Sequence, residues 1–193
     1  EYKNMKTLIL NGSPRKQGDT AFLIQTLTAH LPGTYKIVSA YTAKIAACID
    51  CRACREQFGC RIQDEMQEIY QYLEQCDAVV LASPIYFSEL TGKLLDLGSR
   101  LQVYFSAKHF LHQTPPLKRK KGVVLLAGGG SGNPQKAYET AVYLLHEMNA
   151  MEIYPLICSF QTDRLPAAQD IQTQAEIEKE AHGYKKGSYC SCG

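Results

Sequence analysis

Two patterns alternate along this chain: short apolar runs, and stretches in which apolar residues recur every three or four positions. Thr7-Leu8-Ile9-Leu10 is a run of the first kind, ended by the turn pair Asn11-Gly12. The pattern predicts a buried strand there and a helix over Thr20–His30. Tyr35–Val38 is short and half polar, which predicts an edge strand. Met66, Ile69, Tyr70 and Leu73 share one helical face and predict a helix over Asp64–Gln75. Ala78–Ala82 is apolar throughout. Leu94, Leu97, Leu101, Tyr104 and Phe105 predict one long helix over Leu90–Phe110. Gly122–Leu126 is a fourth strand, Gln135–Met148 a helix, Glu152–Cys158 a fifth strand and Ala167–His182 a last helix.

Strands without a polar face, alternating with helices, require a parallel sheet covered on both sides. Five of them in this rhythm predict an α/β, flavodoxin-like three-layer sandwich with strand order 2-1-3-4-5. A length of 193 residues fits one domain spanning 1–193. It carries a cysteine-rich loop at 48–60 and a loose tail at 184–193 that includes Cys190 and Cys192. The Leu90–Phe110 helix holds more apolar surface than one sheet face needs, with Val103, Tyr104, Phe105 and Phe110 among it. The excess predicts self-association.

Composition removes several classes. Lys plus Arg number 21 and Asp plus Glu 19, a balance that predicts neither a nucleic-acid nor a membrane partner. No apolar run is long enough to span a bilayer. Asn11-Gly12-Ser13-Pro14 interrupts the first apolar run, so it does not read as a cleavable signal, and a cytoplasmic location is expected. Lys118-Arg119-Lys120-Lys121 reads as a solvated face, His109 and His112 as surface histidines, and Cys76 and Cys158 as small buried apolar residues.

In such a sheet, ligands bind beyond the carboxyl ends of the strands, where the strand order switches. Three loops fall there. The first, Asn11 to Thr20, joins a strand to a helix N-terminus, where free backbone N–H groups favour an anion. Ser13 and Thr20 add hydroxyls, Arg15 adds a charged fork, and Gly18 leaves the approach clear. As an ordinary turn, the same loop would use Thr20 as N-cap. It is neither a Walker A loop nor G-x-G-x-x-G. The second loop, Ser83-Pro84-Ile85-Tyr86-Phe87, offers a stiff turn, backbone donors and two aromatic rings. The third, Gly128-Gly129-Gly130, lets backbone come close to a ring.

Gly12-Ser13-Pro14-Arg15-x-x-Gly18-x-Thr20 resembles the phosphate loop of the NAD(P)H-dependent FMN reductases. The 83–87 and 128–130 loops resemble that family's flavin-facing segments, in the same order. The resemblance implies an FMN-dependent oxidoreductase with NAD(P)H as co-substrate, its chemistry on the flavin rather than on a catalytic side chain. FMN would be held by Ser13, Arg15, Gly18, Asp19, Thr20, Ser83, Pro84, Ile85, Tyr86, Phe87, Gly128, Gly129 and Gly130. It also implies a homodimer or homotetramer, and a small-molecule or protein electron acceptor. Asp19 departs from the family pattern, which has Asn there. A carboxylate repels phosphate, so Asp19 is expected to point away or to cap the helix.

Cys48, Cys51, Cys54 and Cys60 crowd into thirteen residues as C-x2-C-x2-C-x5-C. Such spacings do not close into relaxed local disulfides, which favours metal or redox chemistry. The first three resemble ferredoxin runs that hold a [4Fe–4S] cluster, and the whole spacing is similar to that of iron–sulfur flavoproteins, relatives of the FMN reductases. Arg52, Arg55 and Arg61 would offset thiolate charge. Zinc, and cysteines that bind nothing, stand beside the cluster as alternatives. The loop is expected to leave the same sheet edge as the phosphate loop, within electron-transfer reach of a flavin. The chain then reads as a flavin reductase or as an electron-transfer protein.

Overall fold

The computed structural model describes residues 4–186. Its strands are β1 Lys6–Asn11, β2 Thr34–Ser39, β3 Ala78–Pro84, β4 Lys120–Gly128, β5 Ala150–Ile153 and β6 Ile157–Phe160. Its helices are α1 Asp19–His30, α2 Met66–Gln75, α3 Gly92–Ser99, α4 Gln102–His109, α5 Gln135–Glu147 and α6 Ile171–Lys186. All pairings are parallel and the order is β2-β1-β3-β4-β5, with β6 also on β4. The chain therefore has the doubly wound, flavodoxin-like fold that its pattern predicts. Of the expected loose tail, 184–186 continue α6, and the rest, with Cys190 and Cys192, lies outside the described residues.

The apolar runs are explained by two cores, one on each sheet face. On one side Leu8, Leu10, Val79, Leu81, Val124 and Leu126 meet α2, α3, α4 and α5. On the other Ile9, Val80, Val123 and Leu125 meet Leu23, Ile24 and Leu27 of α1 and Ile177 of α6. Successive strand residues point to opposite faces, so a strand covered twice has no polar alternation. Each such side chain, at or near zero exposure, contributes about 1.5–3 kcal/mol.

Two expected elements are divided. The single strand over Glu152–Cys158 is β5 and β6, lying along successive halves of β4. Pro155 falls between them and has no N–H for the ladder. The helix over Leu90–Phe110 breaks at Arg100-Leu101. There the N–H groups of Arg100 and Leu101 bond the carbonyls of Leu97 and Gly98, three residues back. The apolar stripe runs through the break, so its periodicity hides it.

The division changes the surface argument. Val103 and Tyr104 are 3% and 1% exposed, buried by the chain itself, while Phe110 keeps 44% exposure. The basic run is also mixed. Lys118 and Arg119 are exposed, but Lys120 is 2% exposed and its Nζ donates to the Lys118 carbonyl at 2.7 Å. As the first residue of β4, its side chain turns inward, and burial lowers its pKa. His109 and His112 are exposed as expected. Burial pushes the Cys76 thiol up to about 11 and that of half-buried Cys158 to about 12.

Candidate functional site

One hollow opens at the carboxyl ends of β1, β3 and β4, at the switch in strand order. Ser13, Arg15, Gly18, Asp19, Thr20, Pro84, Ile85, Tyr86 and Gly129 line it, together with Ala127, Thr162 and Asp163. The three loops singled out in the sequence thus meet in one place.

The phosphate-loop wall is built by close packing. The Gly12 N–H donates to the Ala82 carbonyl at 2.7 Å, and Thr91 Oγ1 donates to the Gly12 carbonyl at 2.7 Å. A Cβ on Gly12 would stand 2.9 Å from Thr91 Oγ1 and 3.0 Å from Leu94, so only glycine lets β1 approach α3 this closely. Asn11 Oδ1 accepts the Ser13 N–H at 2.9 Å, and Ser13 Oγ accepts the Arg15 N–H at 3.2 Å. The N-cap of α1 is Gly18, not Thr20, and no side chain caps the helix. Its first-turn N–H groups and its dipole are left for an anion. Arg15 is exposed beside them. Asp19 is the first helical residue, and its Oδ1 accepts the Ala167 N–H at 2.8 Å. That bond ties α1 to the turn before α6, while Asp19 stays in the lining of the hollow.

The second loop is a tight hairpin. Tyr86 and Glu89 exchange backbone bonds of 2.9 and 3.0 Å, and Phe87 and Ser88 both have positive φ, 53° and 63°. Neither is glycine, so the turn carries strain of the kind found at binding loops. Tyr86 enters the lining at 44% exposure, but Phe87 projects into solvent at 101% and is absent from it. Ser83 is fully buried beneath the site, accepting the Thr91 N–H and donating to the Pro84 carbonyl. Of the backbone donors expected after Pro84, those of Ile85 and Tyr86 are not free. Their N–H groups are committed to the carbonyls of Ala127 and Glu89.

The glycine loop is held by a segment that sequence reasoning missed. Thr162 and Gln161 donate from their backbones to the carbonyls of Gly128 and Gly130, both at 3.0 Å. Gly128 is buried against Phe160, and Gly130 is exposed outside the lining. A Cβ on Gly129 would lie 2.5 Å from Asp163 Oδ2, so that glycine makes room for Asp163. Strand β4 lies two strands from β1, roughly 10 Å away. Asp163 lines the hollow from the β4 side, beside Gly129. Nothing in its local sequence marks it; it arrives through the pairing of β6 with β4.

The four cysteines border a second hollow, with Arg52, Arg55, Arg61 and Arg100. It shares no lining residue with the first. The loop leaves β2 at the expected sheet edge but then folds over the helices. The Cys48 N–H donates to Ser99 Oγ at 2.9 Å, and Cys54 Sγ stands 3.3 Å from Ser106 Oγ. Cys48 and Cys51 are exposed, Cys54 and Cys60 half-buried. Gly59, at φ 123°, makes the left-handed turn into Cys60. Arg52 pairs with Asp50 at 3.2 Å, and Arg55 lies 4.3 Å over the Phe110 ring. Among the described residues, no three Cys, His, Asp or Glu side chains converge as a single metal-ion site. An iron–sulfur cluster is a wider body than an ion, and its ligands stand further apart around it.

Arg100 is the residue of this hollow that motif reading passed over. It is 1% exposed; its Nη1 donates to the Ala46 carbonyl at 2.9 Å and to Asp64 at 2.7 Å, and its Nη2 to the Ile62 carbonyl and Asp64 at 3.2 Å. Burial works against charge on both partners. Their mutual hydrogen bonds nevertheless hold Asp64 below the usual carboxylate range and Arg100 above its own. The signal was present: Arg100 lies three residues after Leu97 and four before Tyr104, a charge on an apolar stripe.

A doubly wound sheet with an uncapped helix N-terminus opening into its switch-point crevice defines a flavodoxin-like protein with a crevice suited to an anion. Residues 5–162 match the family model described as NADPH-dependent FMN reductase, and the chain belongs to that family. It is similar to an iron–sulfur flavoprotein of Methanosarcina thermophila, 30% identical over 188 residues, covering 91% of this chain and 93% of that one. Another, from Archaeoglobus fulgidus, is 29% identical over 155 residues, covering 79% of this chain and 66% of its own length. Among solved structures, the NAD(P)H:quinone oxidoreductase of Methanothermobacter marburgensis superposes with TM-score 0.72 at 14% identity, over 94% and 98% of the two chains. An FMN-dependent NADH-azoreductase of Bacillus anthracis in complex with FMN gives 0.68 at 12%, over 92% and 98%. These two structures establish the fold.

Proposed function

We propose that this protein is an FMN-dependent oxidoreductase that takes electrons from NADH or NADPH, with a [4Fe–4S] cluster on the cysteine loop as its second redox group. The observation that carries the FMN reading is the uncapped N-terminus of α1 facing a hollow lined by Ser13, Arg15 and Thr20. The unpaired first-turn N–H groups of α1 and a guanidinium suit a phosphate dianion. Gly18 adds no side chain at the entrance, and Asp19 is tied to the Ala167 N–H. Pro84, Ile85 and Tyr86 form the wall against which a flat ring would lie, and Gly129 and Asp163 form its far end. Bound FMN supplies hydride acceptance and single-electron release; the protein binds and orients it.

The cluster reading is supported by four thiols around one hollow rimmed by four guanidinium groups, and by the printed names of the relatives above. Thiolates make up the full ligand set of a [4Fe–4S] cluster, which supplies one-electron transfer. Helix α3 joins the two hollows. Thr91, just before it, bonds the phosphate loop, and Ser99 at its end bonds the cysteine loop. Eight residues of helix place those two anchoring points about 12 Å apart.

Anaerobic purification, or reconstitution with iron and sulfide, tests both parts. The expected result is about one FMN and about four irons per chain, NADH- or NADPH-dependent flavin reduction, and iron lost in Cys51→Ser while FMN stays. FMN without iron removes the cluster; no FMN removes the whole reading. Flavin that neither nicotinamide reduces makes the protein an electron carrier between protein partners.

A further inference from the structure

The cysteine hollow contains one unpartnered polar atom that is fully buried. Arg100 Nε has no hydrogen-bond partner, although Nη1 and Nη2 of the same guanidinium make four bonds between them. An orphaned donor on a charged group costs more than the usual 1–3 kcal/mol. Of the three buried orphans among the described residues, with Thr7 Oγ1 and Tyr104 Oη, it is the one on a charged group and calls for an acceptor. Arg100 lines the hollow beside the four cysteines. Its four bonds have a pattern. Ala46 lies two residues before Cys48, and Ile62 lies two residues after Cys60. One guanidinium therefore closes the base of the whole 46–62 loop. Asp64 completes the clamp by accepting the Ala46 N–H at 3.0 Å and the Met66 N–H at 3.1 Å. The Tyr70 hydroxyl, bonded at 2.8 Å to the Arg100 carbonyl, fixes the arginine from below.

We propose that Arg100 is a positioning residue of the cysteine loop: its two terminal nitrogens hold the loop ends together, and Nε donates to a sulfur of the group that the thiolates bind. The proposal rests on the cluster reading above and assigns a residue that no cysteine spacing identifies. A donor and a fixed positive charge next to the sulfurs stabilise the more negative, reduced cluster. Hydrogen bonds to sulfur are one of the protein's levers on cluster potential. The exposed Arg52, Arg55 and Arg61 are more screened by water and have a smaller effect.

Two substitutions separate the two roles. Arg100→Lys keeps a charge that reaches Asp64 but puts carbon where Nε was. Arg100→Gln keeps an N–H at the Nε position and loses the clamp. In iron-free protein, alkylation of Cys60 followed by peptide mass spectrometry should be slow in the wild type and in Arg100→Lys. In Arg100→Gln it should approach the rate of exposed Cys48. After reconstitution, electron paramagnetic resonance during redox titration should place Arg100→Lys at a more negative potential. A tenfold change in the one-electron reduction constant, about 59 mV, is expected, and Arg100→Gln should shift less. Wild-type alkylation in Arg100→Gln overturns the clamp. A loaded Arg100→Lys at the wild-type potential overturns the donor role while the cluster reading stands. A wild type that takes up no iron removes the cluster reading, and the donor role with it.

Discussion

Single residues decide the charge balance of the hollow proposed to hold FMN. Arg15 is its exposed cation, and Asp19 and Asp163 are carboxylates in the same lining. Arg15→Ala should weaken FMN about tenfold, about 1.4 kcal/mol, through loss of a charge-assisted contact. Riboflavin, which lacks the phosphate, should bind far more weakly than FMN. Fluorescence quenching checks both; equal affinities for riboflavin and FMN would refute the phosphate assignment. Asp19→Asn keeps the oxygen that accepts the Ala167 N–H but removes a negative charge from the hollow. FMN should tighten about threefold. Stability should fall by about 0.3–1 kcal/mol, because an acid in the first turn favours the helix dipole. Urea unfolding measures that loss; unchanged FMN affinity would place the phosphate away from Asp19.

Elements hold the loops at their separations, and α3 is the one both hollows depend on. Its entry is fixed by Gly12 against Thr91 and Leu94, its exit by Ser99 and Arg100 under the cysteine loop. Gly12→Ala would drive a methyl group against Thr91 Oγ1 and Leu94. Overpacking of this kind costs about 1–3 kcal/mol. The expected outcome is a lower melting temperature together with weakened FMN binding, because the same shift moves the phosphate loop. A variant with both properties intact would show that the packing at this point is soft. Pro155 has a comparable role at the sheet edge. By dividing β5 from β6 it lets the segment after β6 bond back onto the glycine loop.

At the scale of the whole molecule, acid sensitivity follows from paired carboxylates. Asp64 is held below its ordinary value against the cost of burial by Arg100 and two backbone donors. Asp170 is held low in the same way by Thr173 and Ser159. A depressed folded pKa contributes stability that is complete above the unfolded value of about 3.9. That contribution is lost as pH falls through the lower folded value. Urea midpoints should be flat from neutral pH to about 5 and then decline, and Asp64→Asn should flatten part of the decline. An unchanged acid limb in Asp64→Asn would show that the pair contributes nothing. Self-association is the expected state in solution, now resting on Phe87 and Phe110 rather than on Val103 and Tyr104. Sedimentation should show at least twice the 21.5 kDa of the chain; a single-chain species alone at micromolar concentration would refute it.

The apolar runs by themselves determined a parallel sheet covered on both faces, because a strand buried on both faces tolerates almost no polar residue; the strand order came from the fold pattern that such an alternation suits. Gly12 to Thr20 marked one wall of the switch-point hollow, because strand, glycine-rich turn and helix N-terminus form one local unit. The cysteine spacing likewise marked a loop whose four thiols border one hollow. Contacts between distant segments were decided only by the tertiary structure. Asp163 reaches the hollow because β6 pairs with β4, thirty residues after the glycine loop. Asp19 is tied to the turn before α6 because Ala167 offers a donor 148 positions away. Phe87 faces solvent because two positive φ angles turn the hairpin outward. Arg100 clamps a loop some fifty residues earlier because an interruption in a helix brings it beneath Ala46 and Ile62. Periodicity records which face of an element is buried, but not which distant backbone groups a buried charge will find there.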